Sequence, residues 1–264
     1  MIKLVNISKV FSPGTVNENA AIRNVDLVVN EGDFITIIGS NGAGKTTLFN
    51  LVSGNMLPTE GQVLINGRDV TKEQEYKRAR YIGRIFQDPL LGTASNMTLE
   101  DNMMITHRKG HKGLRISLNN SMREFFREKL TSLEMGLEHR LKDNVGLLSG
   151  GQRQALTLLT MVISHPELIL LDEHTAALDP RNAKIVLELT MRFIDDYGLT
   201  TMMITHNMNH AIQYGNRLLM MDKGEIILDI SGAEKEALTV EKLVNKFHDI
   251  RKRTLESDEV MLST

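Results

Sequence analysis

The fold is decided by the run Gly39-Ser40-Asn41-Gly42-Ala43-Gly44-Lys45-Thr46, which fits the pattern G-x-x-x-x-G-K-[ST]. The apolar, β-branched residues 34–38 precede this run, and a helical pattern over residues 47–52 follows it. This order predicts a strand, a tight glycine turn and a helix whose N-terminus points at an anion. A glycine turn without a ligand is the alternative, but the flanking strand and helix favour a site for a nucleoside triphosphate.

Two side chains at the end of this loop are expected to act on the bound nucleotide. Lys45 is placed to reach the outer phosphates, and the hydroxyl of Thr46 is placed to bind Mg²⁺. The glycines let successive backbone N–H groups converge on phosphate oxygens. The residues predicted to bind the nucleotide here are Gly39, Ser40, Asn41, Gly42, Ala43, Gly44, Lys45, Thr46 and Thr47.

Length and charge limit the classes of protein to which the chain can belong. Its 264 residues suffice for one large domain, or for one domain with an inserted lobe. The net charge of -2 gives no general basic field, so no nucleic-acid partner is predicted. The absence of cysteine suits a reducing compartment. No stretch approaches the roughly 20 apolar residues that span a bilayer, so any membrane role is expected to come through a partner subunit.

The pattern of apolar residues predicts an α/β fold. Residues 3–11 and 21–30 alternate like antiparallel strands, whereas 34–38, 168–171 and 200–204 are apolar runs typical of buried parallel strands. Segment 88–145 contains helical patterns and no convincing strand, which indicates an inserted helical lobe. We therefore predict a catalytic core with an antiparallel β subdomain over residues 1–87 and 146–240, a helical subdomain over 88–145, and a C-terminal helix and tail over 241–264.

Two adjacent carboxylates, Asp172 and Glu173, follow the apolar strand at residues 168–171. Ligands of open α/β sheets bind at the carboxyl ends of the strands. Neighbouring residues of a strand point to opposite sides, so Asp172 can face Mg²⁺, as in a Walker B motif, while Glu173 faces the water that attacks the terminal phosphorus. A solvated acidic turn is the alternative, and the phosphate loop favours the catalytic interpretation.

The run Leu148-Ser149-Gly150-Gly151-Gln152 precedes a helical pattern, with Ser149 placed as its N-cap. This second glycine-softened helix N-terminus suits an anion, although a capped helix in the smaller lobe is the simpler interpretation. The first loop already holds the triphosphate from one side. A second phosphate site at this point of the chain would more naturally serve a nucleotide held by another copy.

Together these motifs resemble those of the nucleotide-binding subunit of an ATP-binding cassette (ABC) transporter, over nearly the whole chain. Residues 148–152 are identical to the family signature. The resemblance implies a RecA-like P-loop NTPase core and a head-to-tail dimer that sandwiches two ATP molecules. Ser149 and Gly151 of one copy would close on the γ-phosphate bound at Lys45 of the other. The signature residues expected to bind ATP in this way are Ser149, Gly150, Gly151 and Gln152.

Other positions match family motifs one by one. Gln87 resembles the Q-loop glutamine that touches Mg²⁺ or the attacking water, and His206 resembles the switch histidine at the γ-phosphate. Residues 177–179 resemble the D-loop, which crosses the dimer interface. Phe11 stands where an aromatic residue stacks on adenine. The resemblance thus implies Glu173, His206, Gln87 and Lys45 as catalytic residues, and Thr46, Gln87 and Asp172 as Mg²⁺ ligands.

The resemblance also suggests which process ATP hydrolysis would drive. It implies an importer subunit at the cytoplasmic face of the membrane, joined to permease subunits and indirectly to a solute-binding protein. The run His174-Thr175-Ala176-Ala177 resembles a bacterial subfamily assigned to tryptophan or tyrosine uptake. The alternative is a soluble cassette ATPase of a protein-assembly system, such as iron–sulfur cluster scaffold assembly. The 15 methionines are interpreted as core residues, and the basic cluster 107–112 as a solvated loop.

Overall fold

The computed structural model describes residues 1–107 and 118–250. Two sheets and a helical lobe make up the molecule, as the sequence predicts. The strands are β1 (Ile2–Phe11), β2 (Asn19–Val29), β3 (Phe34–Gly39), β4 (Glu60–Ile65), β5 (Arg68–Asp69), β6 (Ile82–Ile85), β7 (Leu168–Asp172), β8 (Thr201–Ile204), β9 (Arg217–Asp222) and β10 (Glu225–Ser231). The helices are α1 (Lys45–Ser53), α2 (Glu75–Arg78), α3 (Leu99–His107), α4 (Asn120–Thr131), α5 (Gly150–Ile163), α6 (Pro180–Tyr197), α7 (Met208–Gln213), α8 (Gly232–Glu236) and α9 (240–250).

The larger sheet has six strands in the order β10-β9-β3-β8-β7-β6. Strands β9, β3, β8, β7 and β6 are parallel, and β10 pairs antiparallel with β9. Strands β7 and β8 are buried along their whole length, as is nearly all of β3, because elements cover both faces of the sheet. The carboxyl ends of β3, β7 and β8 therefore meet at one edge, where the predicted site residues follow them.

The smaller sheet is antiparallel, in the order β2-β1-β4-β5. Its inward side chains form one apolar cluster with α1 and with one face of the larger sheet. Members from all three elements include Leu4 of β1, Phe49 of α1 and Ile35 of β3, each with essentially no exposed surface. The loop at residues 39–46 is thus fixed between two packed layers.

A buried arginine closes the far end of α1. The Arg78 guanidinium is fully buried and donates to the carbonyl oxygens of Leu51 at 2.7 Å and Val52 at 2.9 Å, in the last turn of the helix. Its positive charge opposes the negative end of the helix dipole. Arg78 thereby anchors the helix whose other end begins at Lys45.

The segment at 88–145 holds α3, α4 and the 3-10 turn Leu137–His139, and a second 3-10 turn, Val145–Leu147, begins at its last residue. The sequence predicts a helix over residues 120–135 that stops at Gly136. Helix α4 ends earlier, at Thr131, because Glu134 and Gly136 turn the chain with φ of 56° and 70°. The lobe shares one apolar core with α5, α6 and the sheet. Its division from the core at residues 88 and 145 stays a prediction.

The sequence over residues 217–230 predicts a hairpin that turns at Asp222-Lys223-Gly224. The structure agrees, since β9 and β10 are joined by a turn at Lys223 and Gly224. The four methionines of β8 and β9 are buried, as the core interpretation expects. Most of the basic cluster, 108–112, and the polar tail at 253–264 lie outside the described residues. Within residues 1–107 and 118–250, none of the helices combines the length and the apolar character needed to cross a bilayer.

Candidate functional site

The phosphate loop needs glycine at two positions for lack of space. A Cβ at Gly39 would lie 2.3 Å from the carbonyl oxygen of Met221, and one at Gly44 would lie 2.6 Å from that of Ala21. Both glycines also have positive φ, 153° and 100°. The backbone of the loop therefore packs directly against β2 and β9, and larger residues at either position would displace it.

Lys45, the first residue of α1, points back into this loop. Its ammonium group donates to the carbonyl oxygens of Gly39 at 2.8 Å and Ser40 at 3.0 Å, and only 6% of the residue is exposed. Burial lowers the pKa of Lys45, and the nearby carboxylates of Glu173 and Asp172 oppose that shift. The ammonium group of Lys45 thus lies at the centre of the loop.

A cleft of about 300 Å³ opens over the loop. It brings together residues that are far apart in the sequence, because the ends of β1, β3, β7 and β8 converge at this edge. Phe11 lies on its wall, with the ammonium of Lys9 at 5.5 Å from the ring centroid. The predicted site residues that line this cleft are Phe11, Asn41, Gly42, Ala43, Gly44, Lys45, Thr46, Thr47, Glu173 and His206.

A second cleft, of about 470 Å³, adjoins the first and shares Thr46 and Glu173 with it. Gln87 and Asp172 also line this cleft. These residues supply a hydroxyl, an amide and carboxylates, which are the oxygen donors that Mg²⁺ prefers. In the part of the chain that the structure describes, no group of three or more His, Cys, Asp or Glu could hold a metal. The donor set fits an ion held by one or two carboxylates together with substrate phosphates.

Glu173 and His206 form a close pair at the boundary of the two clefts. The imidazole Nε2 of His206 lies 2.5 Å from Oε1 of Glu173. The backbone of Glu173 has φ of 48°, a left-handed conformation that costs a non-glycine residue roughly 1–3 kcal/mol. Its N–H donates to the carbonyl of Ile204 at 3.2 Å. The surrounding structure therefore holds this carboxylate in a strained position beside the loop.

Arg84 of β6 is a site residue that the sequence analysis missed. Its guanidinium donates to Oδ2 of Asp172 at 2.9 Å and to Oδ1 of Asn50 at 2.6 Å. The group also lies over the ring of Phe86, 4.7 Å from its centroid. An arginine within a short, otherwise apolar strand must find a partner when it is buried, and this was the signal available in the sequence.

Gln154 of α5 is a second residue that was missed. Its buried side-chain amide donates to the carbonyls of His174 at 2.7 Å and Phe86 at 3.2 Å. These two carbonyls belong to the residues next to Glu173 and Gln87. Gln154 thus joins the helix that begins at the signature motif to both loops of the second cleft.

His174, with 2% of its surface exposed, lies next to Glu173 in the sequence and is buried in the interior. Its Nε2 lies 3.1 Å from Oγ1 of Thr190 in α6. Burial, together with a smaller effect of the neighbouring His210, lowers the pKa of His174 from 6.5 to about 4. The imidazole is therefore neutral at physiological pH and belongs to the packed interior.

The buried His174 predicts a pH dependence of stability. Its folded pKa lies below its unfolded pKa, so between pH 6.5 and about 4 the unfolded chain takes up a proton that the folded chain refuses. The free energy of unfolding should fall by roughly 2 to 3 kcal/mol through His174 as the pH drops from about 7 to about 4.5. Urea unfolding at the two pH values measures this.

The His174→Asn variant should lose that part of the fall, whereas His139→Asn, at an exposed histidine, should keep it. His210 contributes in the same direction, because burial lowers its pKa as well, and it remains in both variants. An equal fall in stability for His174→Asn and the wild-type chain would contradict this account.

The signature motif forms a capping box at the start of α5. Oγ of Ser149 accepts from the N–H of Gln152 at 3.3 Å, and Oε1 of Gln152 accepts from the N–H of Ser149 at 3.2 Å. Ser149 and Gly150 are exposed, and none of the four signature residues lines either cleft. Within one chain the motif is separate from the predicted nucleotide site.

The predicted D-loop, residues 177–179, lies beside this motif. A Cβ at Gly150 would lie 3.2 Å from Leu178, and one at Gly151 would lie 2.8 Å from the side chain of Asn182. Asp179 caps α6 by accepting from Asn182. Side-chain and backbone hydrogen bonds from Asn182 lower the pKa of Asp179. The two segments form one continuous surface.

Comparison with known proteins decides the family. The chain matches the family described as ABC transporter over residues 22–176, which is more than half of its length. It belongs to the ABC transporter family. A tyrosine transport ATP-binding protein of Clostridioides difficile is 41% identical over 94% of the chain and 98% of that relative. The energy-coupling factor transporter ATP-binding protein EcfA1 of Halalkalibacterium halodurans is 34% identical over 82% of the chain and 75% of that relative.

Solved structures agree with this assignment. The ADP conformation of MJ1267, an ATP-binding cassette of an ABC transporter, matches with a TM-score of 0.74 and 28% identity, over 94% of this chain and 98% of that one. A dimeric post-hydrolysis structure of the cassette MJ0796, bound to ADP and Pi, matches with a TM-score of 0.71 and 28% identity, over 88% and 98%. The predicted RecA-like α/β fold is confirmed, and the chain is an ABC ATPase subunit. The comparisons do not support the iron–sulfur scaffold alternative.

Proposed function

We propose that the chain binds Mg²⁺–ATP in the two adjoining clefts and hydrolyses it to drive solute import through separate permease subunits. The observation that carries the proposal is the convergence of Lys45, Thr46, Gln87, Asp172 and Glu173 around these clefts, with His206 beside them. A phosphate loop, an acidic strand end and a polar switch residue are the parts that phosphoryl transfer to water needs.

Hydrolysis proceeds by direct attack of water on the γ-phosphorus. The Glu173 carboxylate accepts a proton from that water. His206, whose Nε2 lies 2.5 Å from Oε1 of Glu173, holds the carboxylate in position. The ammonium of Lys45 moves from its loop carbonyls to the outer phosphate oxygens and neutralises their charge. The P–O bond to ADP breaks as the new one forms, so the reaction needs no covalent enzyme intermediate.

Thr46, Asp172 and Gln87 are the residues that would hold the metal ion. When bound, Mg²⁺ would supply a positive charge that offsets the charge of the phosphate groups. Gln87 follows β6 and opens the helical segment, so its position couples the metal site to that lobe. Phe11, on the wall of the first cleft, offers a ring face for adenine.

The ATP site is completed by a second copy of the chain. The signature residues form a helix N-terminus whose first residues, Ser149 and Gly150, are exposed and line neither cleft, which favours a phosphate held by another molecule. A head-to-tail pair would place Ser149 and Gly151 of one copy against the γ-phosphate held at Lys45 of the other. Support comes from the dimeric cassette MJ0796, which has the same fold.

The exposed apolar residues after Gln87 form the proposed permease-docking surface. Leu90, with 51% of its surface exposed, and Met97, with 38%, lie in the turns between Gln87 and α3, and Leu91 of the same turns lines the second cleft. Exposed apolar side chains that recur within one short segment favour an interaction site. This surface would carry movement between the nucleotide site and the permease.

The double variant Leu90→Ser/Met97→Ser should release the chain from the membrane in cells that produce it at normal levels. We expect the fraction that floats with membrane vesicles to fall by about tenfold, because the apolar contact area is lost. ATP hydrolysis by the purified variant should remain at the wild-type level. The control is Leu57→Ser/Tyr76→Ser, which removes two exposed apolar side chains outside this segment. Equal flotation of both variants would contradict the docking surface.

The solute is proposed to be an aromatic amino acid, such as tyrosine or tryptophan. Support comes from the relative of Clostridioides difficile, which is named a tyrosine transport ATP-binding protein and matches over nearly the whole chain. The chain would then lie at the cytoplasmic face of the membrane and serve a solute-binding protein through the permease. Uptake of radiolabelled tyrosine and tryptophan in cells lacking the subunit tests this, and unchanged uptake of both would contradict it.

A further inference from the structure

Arg84 links three parts of the site through one planar group. Its Nη2 donates to Asp172, at the end of β7, and its Nη1 donates to Asn50, in α1. The guanidinium lies over Phe86, the residue before Gln87. The side chains of Arg84 and Asp172 are only 8% and 11% exposed, so water does little to screen their charges.

The contact with Asp172 occupies one of its two oxygens. Oδ2 accepts from Arg84, which leaves Oδ1 without an Arg84 contact in the cleft that also contains Thr46 and Gln87. The contact is a single hydrogen bond, because the other terminal nitrogen of the guanidinium donates to Asn50. Asn50 thereby holds the planar guanidinium in place, and the guanidinium in turn holds Oδ2. Arg84 therefore sets the direction in which the free oxygen points.

The same contact places a permanent positive charge next to a proposed cation site. Arginine remains protonated at every physiological pH. A divalent cation at Asp172 would be repelled by this charge. The guanidinium also offsets part of the negative potential of the Asp172 carboxylate. Both effects weaken the binding of a metal to this carboxylate.

We propose that Arg84 is a positioning residue that orients Asp172 and weakens metal binding there, so that the metal–nucleotide product is released more readily. The inference rests on the proposed function, because it takes Asp172 as a metal ligand. Arg84 itself touches neither nucleotide nor water in this scheme. It acts through the carboxylate that it holds.

The test measures how strongly Mg²⁺ improves nucleotide binding, without any turnover. The dissociation constant of a fluorescent ADP analogue is measured in EDTA and in saturating Mg²⁺. The value in EDTA divided by the value in Mg²⁺ is the ratio that reports how much the metal strengthens binding. Arg84→Met and Arg84→Gln both remove the charge, and Gln keeps a donor for Asp172 should Met disturb folding. We expect the ratio to rise at least about tenfold in both, and release of the Mg²⁺-bound analogue in stopped flow to slow accordingly.

Two controls separate charge from packing. Arg84→Lys keeps the charge and should stay within about threefold of the wild-type ratio. Arg80→Met removes an arginine that lies over Tyr81 at the same 4.7 Å distance but pairs with Glu73, and it should leave the ratio unchanged. A rise in Arg84→Lys as large as that in Arg84→Met would overturn the charge argument.

The outcomes also separate this inference from the proposed function. If Mg²⁺ strengthens binding to the wild-type chain, and Asp172→Asn reduces that effect, the metal role of Asp172 stands. An unchanged or reduced ratio in both Arg84→Met and Arg84→Gln then overturns the inference alone. If Mg²⁺ does not strengthen binding to the wild-type chain, or if Asp172→Asn has the same ratio as the wild-type chain, Asp172 is not a metal ligand. The proposed metal site and this inference are then both wrong.

Discussion

Replacing Glu173 by Gln is expected to lower ATP turnover at least about a hundredfold while leaving ATP binding intact. The amide keeps the size of the side chain but cannot accept the proton of the attacking water. His206, which lies 2.5 Å from the carboxylate, would then face an amide that holds no charge. ATP should therefore accumulate uncleaved, and size-exclusion chromatography in ATP should show a dimer that persists.

The matched control is Glu167→Gln, which makes the same change just before the opposite end of β7. Glu167 accepts from Asn66 at 2.6 Å, far from both clefts. This variant should hydrolyse ATP at the wild-type rate. Unimpaired turnover in Glu173→Gln would show that Glu173 is not the general base. The close contact with His206 would then have no role in proton transfer.

Replacing Ser149 by Arg is expected to abolish hydrolysis while leaving ATP binding to the isolated chain unchanged. Ser149 lines neither cleft, so the affinity of one chain for ATP should not depend on it. The larger side chain would block the approach of the second copy, and turnover should fall at least about a hundredfold because charge stabilisation from that side is lost. Fluorescent ATP binding and phosphate release measure the two quantities separately.

Loss of the helix cap must be separated from loss of the dimer contact. Ser149 caps α5, and removing such a cap costs about 1 kcal/mol of stability. Asn119→Arg removes an equivalent cap from α4, where Oδ1 of Asn119 accepts from Met122 at 2.9 Å. That variant should lose similar stability and keep its turnover. If it loses turnover as Ser149→Arg does, the proposed role of the signature is wrong.

The central elements of the fold could be predicted because their signals are local. The strands at residues 34–38 and 168–171 are short apolar runs, and both are buried in the parallel sheet. The residue types of the glycine loop between strand and helix suffice to predict a phosphate-binding site. Ser149 was predicted as a cap, although the second bond of the capping box, in which Oε1 of Gln152 accepts from the N–H of Ser149, became visible only in the structure. The end of α4 was misplaced because the αL residue at Glu134 carries no glycine signal.

The contacts behind the site could not be predicted, because they join distant parts of the chain. Gln154 bonds to a carbonyl 68 positions away, and Arg84 bonds to a carboxylate 88 positions away. Their residue types suggest only that burial would demand partners. The choice of partner depends on strand order in the sheet, which places β6 beside β7 and α5 over both loops. The roles of the individual side chains remain proposals for the experiments above.

The central claim is that each ATP site needs two copies of the chain, and its most direct test is the specific activity as a function of protein concentration. Sedimentation in the presence of ATP fixes the concentrations at which the chain is monomeric. We predict that ATP binding per chain stays constant over this range, while hydrolysis per chain rises with concentration as dimers form. Full hydrolysis per chain in verified monomers, independent of concentration, would contradict the composite site.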